Sequence, residues 1–486
     1  MTTVTAVKRE IIPCKLHCKK IHADISLPAL SEIFSALKLP AILGGNPARI
    51  DSGRFSYWMA EPLEVFEFRT GDKDPFGKLD KILSKYSLPD QQPFFDSPQR
   101  LATSDQRPFI GGWAGYFSYE LGRYIEDLPQ TAQDDLQMPL IHLRFYDKVI
   151  CYDHAENTYR LTALQMPDET QKPQDKLAFL KTLLDRACRS SPKPPPPAGT
   201  GIADIAKFRC NMDKVHYLKT VKKIKEYIRD GEVYQINFSQ RFESMFNGRP
   251  IDLFHWQNLY NPSGYAAYIG GGDHQIVSAS PEMFATAAGG IIRTKPIKGT
   301  RPRIAGIDPA SLQADQKNFD ELVNSEKEQA ELNMIIDLER NDLGRICKYV
   351  TIKVTQPRTI ESYPTVFHAV ATVEGQLREK ISFCDILRAM FPGGSITGAP
   401  KVSAMKIIDQ TEPTARGVYT GSIGYIGIDG DVSLNIAIRT IIIKGDKAFA
   451  QTGGGIVADS DPDAEWEETL VKARALLAGI QSVSGK

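Results

Sequence analysis

The chain has 486 residues, 42% of them apolar and 24% charged, with 59 basic and 59 acidic side chains. At roughly 150 residues per domain this suggests about three domains, or fewer large ones, with enough apolar content for a substantial core. Zero net charge argues against nucleic acid or an anionic membrane as a bulk electrostatic partner, and the average composition argues against disorder, collagen-like repeats and a coiled coil.

The N-terminus, Met1-Thr2-Thr3-Val4, runs into Lys8, Arg9 and Glu10 with no apolar segment followed by a small-residue cleavage site. No apolar run approaches the ~20 residues that span a bilayer, and Ile441-Ile442-Ile443 is strand-sized. A soluble cytoplasmic protein is expected. Seven cysteines between Cys14 and Cys384 are an odd number at low density, which predicts free thiols. Cys14 and Cys18 flank His17, but no second Cys/His pair follows at finger spacing, so no metal knuckle is expected there.

The run Gly111–Phe117 predicts a strand with close backbone approaches, and Ile141–Tyr152 a second apolar, aromatic strand. Ser190–Gly201 contains four consecutive prolines, so it reads as an extended linker over about 191–203. It separates an N-terminal region, 1–190, from a C-terminal region, 204–486. The two need not fold independently, and no internal repeat is present.

Beyond the linker, Asp213 is a candidate N-cap for a helix with Val215, Leu218, Val221, Ile224 and Ile228 on one face and Gly231 at its end. Tyr234, Ile236 and Phe238 alternate with Gln235, Asn237 and Ser239 as in a strand. A helix is predicted over roughly 319–338, ending by Gly344, and another near Pro400. Strands at about 418–428 and 432–443 flank the hairpin signal Asp429-Gly430-Asp431. A last helix starts after Asp461, with Pro462 in its first turn. Long helices and hairpins without regular βαβ alternation favour an α+β fold over a doubly wound sheet.

Glu465, Glu468 and Lys472 fall within about 60° of one another on the last helix. A solvated salt-bridge face accounts for them in isolation. Gly453-Gly454-Gly455 lies close upstream, however, and three glycines let backbone amides approach an anion. Glu328 and Glu331 repeat the pairing on the middle helix. Two helices that each present two carboxylates form an oxygen-rich site suited to Mg²⁺. Lys298, before Gly299, reads either as a solvated turn residue or as an amine nucleophile, with Glu282 as its acid/base companion. Arg439 in an apolar run needs a carboxylate, whether the protein's or a ligand's. Phe391–Lys401 is glycine-rich but lacks phosphate-loop spacing, so a nucleotide site is not expected.

Four runs together resemble the chorismate-utilising enzymes, which include anthranilate, isochorismate, salicylate and aminodeoxychorismate synthases. They are Gly394-Ser395-Ile396-Thr397-Gly398-Ala399-Pro400-Lys401, Asp337-Leu338-Glu339-Arg340-Asn341-Asp342, Asn435-Ile436-Ala437-Ile438-Arg439-Thr440 and Gly453-Gly454-Gly455-Ile456-Val457-Ala458-Asp459-Ser460. The resemblance covers 213–480 almost continuously, and the N-terminal region more loosely at Gly111-Gly112-Trp113 and Tyr119-Glu120-Leu121-Gly122-Arg123. It implies two large, mainly antiparallel sheets packed as a sandwich with helices outside.

Pro296-Ile297-Lys298-Gly299-Thr300, with Gln235 where isochorismate and salicylate synthases have lysine, is similar to the component I branch of aminodeoxychorismate synthases. Anthranilate synthases usually have alanine at the position of Lys298. The resemblance implies amination of chorismate at C4 through a Lys298 adduct, with Glu282 protonating the departing hydroxyl. It implies Mg²⁺ held by Glu331 and Glu468, with Glu328 and Glu465 acting through waters. Arg439, Tyr425 and the Gly453, Gly454 and Gly455 amides would hold the enolpyruvyl carboxylate, and Lys472 would assist. His368 and Ser395 would line the ring pocket, with Gln235 nearby. The chain shows no glutaminase segment, so ammonia is expected from a separate glutamine amidotransferase subunit in a heterodimer. Ala41-Ile42-Leu43-Gly44-Gly45 has glycine where relatives carry a tryptophan-pocket serine, which argues against tryptophan binding. The competing readings are an anthranilate synthase large subunit and a non-catalytic binding relative.

Overall fold

Side chains along the paired strands Ala41–Leu43 and Phe55–Met59 alternate between two cores. Ile42 and Trp58 point outward beneath helices, whereas Ala41, Leu43, Tyr57 and Met59 point inward against a second sheet. This is one corner of an α+β sandwich in which each sheet has helices on its outer face and the other sheet on its inner face. The computed structural model describes residues 11–44, 53–89, 107–192, 194–196, 203–304, 306, 308–363 and 366–484.

One sheet has 12 strands and the other 10 among the described residues, and every pairing within them is antiparallel. Both contain strands from both regions of the chain. The seams are Ala41–Leu43 against Tyr265–Ile269 in the larger sheet, and Gly112–Phe117 against Ser422–Gly427 in the smaller. The linker joins two parts of one continuous sandwich, although residues 193 and 197–202 of it lie outside the described residues. Helices Leu27–Ser35, Pro173–Cys188, Pro250–Tyr260 and Pro462–Val483 cover the larger sheet. Pro75–Leu83, Glu326–Gly344 and Phe383–Met390 cover the smaller, whereas Lys401–Thr411 packs against strand Gln235–Met245 of the larger. Burying a residue such as Trp58 completely contributes about 2–3 kcal/mol of apolar transfer free energy.

Several expectations are corrected. The run Ile141–Tyr152 is two strands, Ile141–Tyr146 and Lys148–Asp153, which lie in different sheets. The run 432–443 divides likewise into Val432–Asn435 and Thr440–Lys444. A crossing between two packed sheets stays buried, so the apolar pattern continues through the break. The helix expected over 319–338 is two, Pro309–Asn324 and Glu326–Gly344, and the Ser325 hydroxyl between them accepts the Glu328 N–H as an N-cap. In helix Lys214–Arg229, Val215 is exposed and the buried face is Tyr217, Thr220, Val221 and Ile224. Tyr234 is exposed and precedes its strand, Gln235–Met245.

The strand at Gly112–Phe117 shows the expected backbone closeness. A Cβ on Gly115 would collide with the His142 carbonyl oxygen of the neighbouring strand. All seven cysteines are free. No described helix is long and apolar enough to cross a membrane.

Candidate active site

Strand Gln235–Met245 pairs with Lys447–Ile456, which sets Asn237, Phe238 and Ser239 opposite Gly455, Gly454 and Gly453. The three glycines are therefore strand residues rather than a turn, and they matter through the side chains they lack. A Cβ on Gly454 would lie 3.1 Å from Glu465 Oε2 and 3.7 Å from Glu468 Oε1. One on Gly455 would lie 2.7 Å from Gln235 Nε2 and 3.6 Å from Lys298 Nζ. A bare patch of strand thus separates the acidic last helix from the lysine.

Lys298 sits in a register irregularity between Ile297 and Thr300, with Gly299 at φ +90°. A bulge of this kind turns a side chain away from the ladder. Lys298 Nζ donates to the Ser395 carbonyl at 3.4 Å, and the Ser395 hydroxyl donates to Glu282 Oε1 at 2.6 Å. Glu282 Oε1 also accepts the Ile297 N–H at 3.3 Å. Burial pushes the Lys298 ammonium below the ordinary lysine value, against the opposing pull of Glu331 and Glu282. Burial pushes Glu282 above the ordinary carboxylate value, against Ser395, Ile297 and Lys298. The pair is thereby driven toward neutral amine and neutral acid.

Arg439 lies in the crossing between the sheets at φ +49°, not in a strand. Its Nη2 is 3.2 Å from His368 Nε2, and His368 Nδ1 is 2.8 Å from Thr300 Oγ1. A guanidinium only donates, so His368 accepts at Nε2 and donates from Nδ1 to the threonine. The arginine's remaining donors are left for a ligand or for neighbours in this pocket.

Four carboxylates line the other side. Glu328 accepts Arg301 Nη1 at 2.6 Å, while its Oε2 is buried with no hydrogen-bond partner. Glu465 accepts the Ser460 hydroxyl at 2.6 Å, and burial pushes both Glu465 and Glu331 upward. Burial pushes Glu468 upward too, but the Lys472 ammonium at 2.7 Å outweighs it and holds Glu468 below its ordinary value. Lys472 also donates to Gly453 O at 3.1 Å. Oxygen donors from two helices, one of them buried without a partner, fit Mg²⁺. A tighter donor cluster at Glu32, Asp252 and His255 is already engaged, because Arg249 binds both of its carboxylates.

Tyr425 is not brought into this group. Its ring packs 4.5 Å from Phe109 and 5.6 Å from Tyr57, centroid to centroid, and lines a separate cavity between the sheets. Gly44 lines the same cavity; Gly45 lies outside the described residues. Gln235 is buried with neither amide atom hydrogen-bonded, and it faces Gly455. Sequence reasoning missed Thr300, Arg301 and Ser460. The signal available was their place in the same short runs as Lys298 and the triple glycine.

An antiparallel two-sheet sandwich with Lys298, Glu282, Arg439 and four glutamates around a glycine-lined strand defines a class of enzyme. Residues 51–478 match the chorismate binding enzymes, and the chain belongs to that family. It is 38% identical over 439 residues to the aminodeoxychorismate synthase component 1 of Bacillus subtilis, covering 88% of this chain and 90% of that one. It is also 38% identical over 401 residues to an anthranilate synthase component 1 of Haloarcula marismortui, covering 81% and 80%. Its fold superposes on the anthranilate synthase component I of Streptococcus pneumoniae with a TM-score of 0.71 at 29% identity, covering 87% and 92%.

Proposed function

We propose that this chain aminates chorismate at C4 with ammonia, giving 4-amino-4-deoxychorismate, a precursor of p-aminobenzoate and folate. The observation that carries the reading is Lys298, held beside Glu282 through Ser395 and pushed toward its neutral, nucleophilic form. The lysine amine attacks C2 of the ring, both ring double bonds shift by one position, and the C4 hydroxyl leaves as water with a proton from Glu282. Ammonia then adds at C4 and expels the lysine, which regenerates the amine. The enolpyruvyl group is retained. Arg439 and the bare strand at Gly453–Gly455 receive the enolpyruvyl carboxylate, and His368 orients Arg439 from behind.

Glu331 and Glu468 would hold Mg²⁺, with Glu328 and Glu465 acting through water. When bound there, Mg²⁺ would supply the positive charge that a substrate carboxylate needs beside four glutamates. Ammonia would come from a separate glutamine amidotransferase subunit in a cytoplasmic heterodimer. The component 1 designation of the relatives supports a second subunit.

A second reading, an anthranilate synthase component that expels pyruvate, is favoured by the equal identity to the Haloarcula relative. One assay separates them. The purified chain is mixed with chorismate, Mg²⁺ and ammonium at alkaline pH, and the product is identified by mass spectrometry. An aminated product that keeps the enolpyruvyl group is expected. Fluorescent anthranilate would establish the second reading instead.

A further inference from the structure

Between the bare strand and the last helix the chain turns at Val457–Ser460, and one hydroxyl closes the turn. Ser460 Oγ accepts the Val457 N–H at 3.0 Å, and the Ser460 N–H donates to the Val457 carbonyl at 3.1 Å. Lys225, from helix Lys214–Arg229, donates to the Ser460 carbonyl at 2.6 Å. Ser460 is thereby fixed and buried. A hydroxyl has one proton to give, and Ser460 gives it to Glu465 Oε1 at 2.6 Å.

Glu465 is itself only 7% exposed, so that bond commits one of its two oxygens. The other, Oε2, faces the bare strand, where a Cβ on Gly454 would lie 3.1 Å from it and 3.7 Å from Glu468 Oε1. Glu328, on the other acidic helix, is divided in the same way. Its Oε1 accepts Arg301 Nη1, while its Oε2 is buried without a hydrogen-bond partner, and a Cβ on Gly299 would come 2.5 Å from it. Each carboxylate thus has one oxygen committed to the protein and one turned to a glycine. So divided, it can give a cation, or a water on that cation, one oxygen and no more. Mg²⁺ suits that restriction, because its octahedral shell is small and keeps several waters. Ca²⁺ takes about six to eight oxygens and gains from carboxylates that offer both of theirs.

We propose that Ser460 is a specificity-determining residue of the metal site read above, on which this inference rests: by holding Glu465 Oε1 it limits that carboxylate to one oxygen and so disfavours Ca²⁺ relative to Mg²⁺. Ser460→Ala releases Oε1, whereas Ser460→Thr keeps the hydroxyl. The two ions are titrated separately into the full-length protein, without chorismate, and binding is measured by calorimetry. In S460A the ratio of Ca²⁺ to Mg²⁺ affinity should rise about 10-fold over wild type, with Ca²⁺ bound more tightly and Mg²⁺ within about 3-fold of wild type. In S460T the ratio should stay within about 3-fold of wild type. A serine that served folding alone would weaken both ions together and leave the ratio where it was.

An unchanged ratio in S460A would overturn the proposal, as would an S460T as altered as S460A. If S460A does not fold, Ser460→Cys puts a weak donor in the same place and must shift the ratio in the same direction, or the proposal fails. A wild type that binds Mg²⁺ beside an S460A of unchanged ratio leaves the metal reading standing and removes only the role of Ser460. A wild type that binds neither ion removes the metal reading itself, and the proposal falls with it.

Discussion

The Ser395 hydroxyl reaches Glu282 Oε1 at 2.6 Å across 113 residues of sequence, while the carbonyl of the same serine receives Lys298. One residue thus sets the distance between a candidate acid and a candidate nucleophile. Both ends of that arrangement can be tested.

Lys298→Ala should lower kcat by about three orders of magnitude or more while leaving the far-ultraviolet circular dichroism and melting temperature close to wild type. The ammonium is buried against its own preference, so its removal relieves a desolvation cost. Steady-state kinetics beside a thermal melt check this, and unchanged turnover would eliminate the covalent role.

Activity against pH should be bell-shaped, because Lys298 must be neutral and Glu282 protonated. The Ser395 bond lowers the Glu282 value, so Ser395→Ala should raise it. The limb that belongs to Glu282 should then move to higher pH, with the other limb in place. A profile of kcat/KM with neither limb displaced would dissociate Ser395 from the acid.

Glu468→Gln should raise the Mg²⁺ concentration needed for half-maximal activity about 10-fold, equivalent to about 1.4 kcal/mol. Magnesium titration of both proteins checks this. An unchanged requirement would remove helix Pro462–Val483 from the metal site.

Arg439→Gln should raise the KM for chorismate about 10-fold or more, as expected for losing a charged hydrogen bond of about 1.5–3 kcal/mol. Tyr425→Phe should leave it within about 2-fold, because that ring packs in the other cavity. Equal losses in the two variants would place Tyr425 at the substrate after all.

Gly115→Ala should destabilise the protein by about 3 kcal/mol or more, since the new methyl would strike the His142 carbonyl of a core strand. Urea denaturation measures it. A loss under about 1 kcal/mol would mean that the two strands can separate without cost.

Much of the architecture was legible because caps and hairpins announce themselves locally. Asp213 caps the helix it was expected to cap, the last helix starts after Asp461 as expected, and each of the two aspartates accepts the backbone N–H three residues on. The sheet changes within 141–152 and 432–443 were not legible, because periodicity reports burial and burial continues through the crossing. For the same reason Arg439 read as a strand residue. The glycines at 453–455 look like a loop in composition, and only the pairing with Asn237–Ser239 shows them to be strand. Lys298 and the glutamates could be singled out by residue type. What could not be read was the contact between Ser395 and Glu282, or that between Arg439 and His368, since each joins segments that no local pattern links.

The seam between Gly112–Phe117 and Ser422–Gly427 has a consequence for how the chain is made. The first strand leaves the ribosome about 300 residues before its partner, which at 5–20 residues per second is roughly 15 to 60 s. For that interval one flank of a strand carrying Trp113, Tyr116 and Phe117 has no native neighbour. The sandwich closes only near the end of synthesis, so the nascent chain depends on shielding of that edge until then.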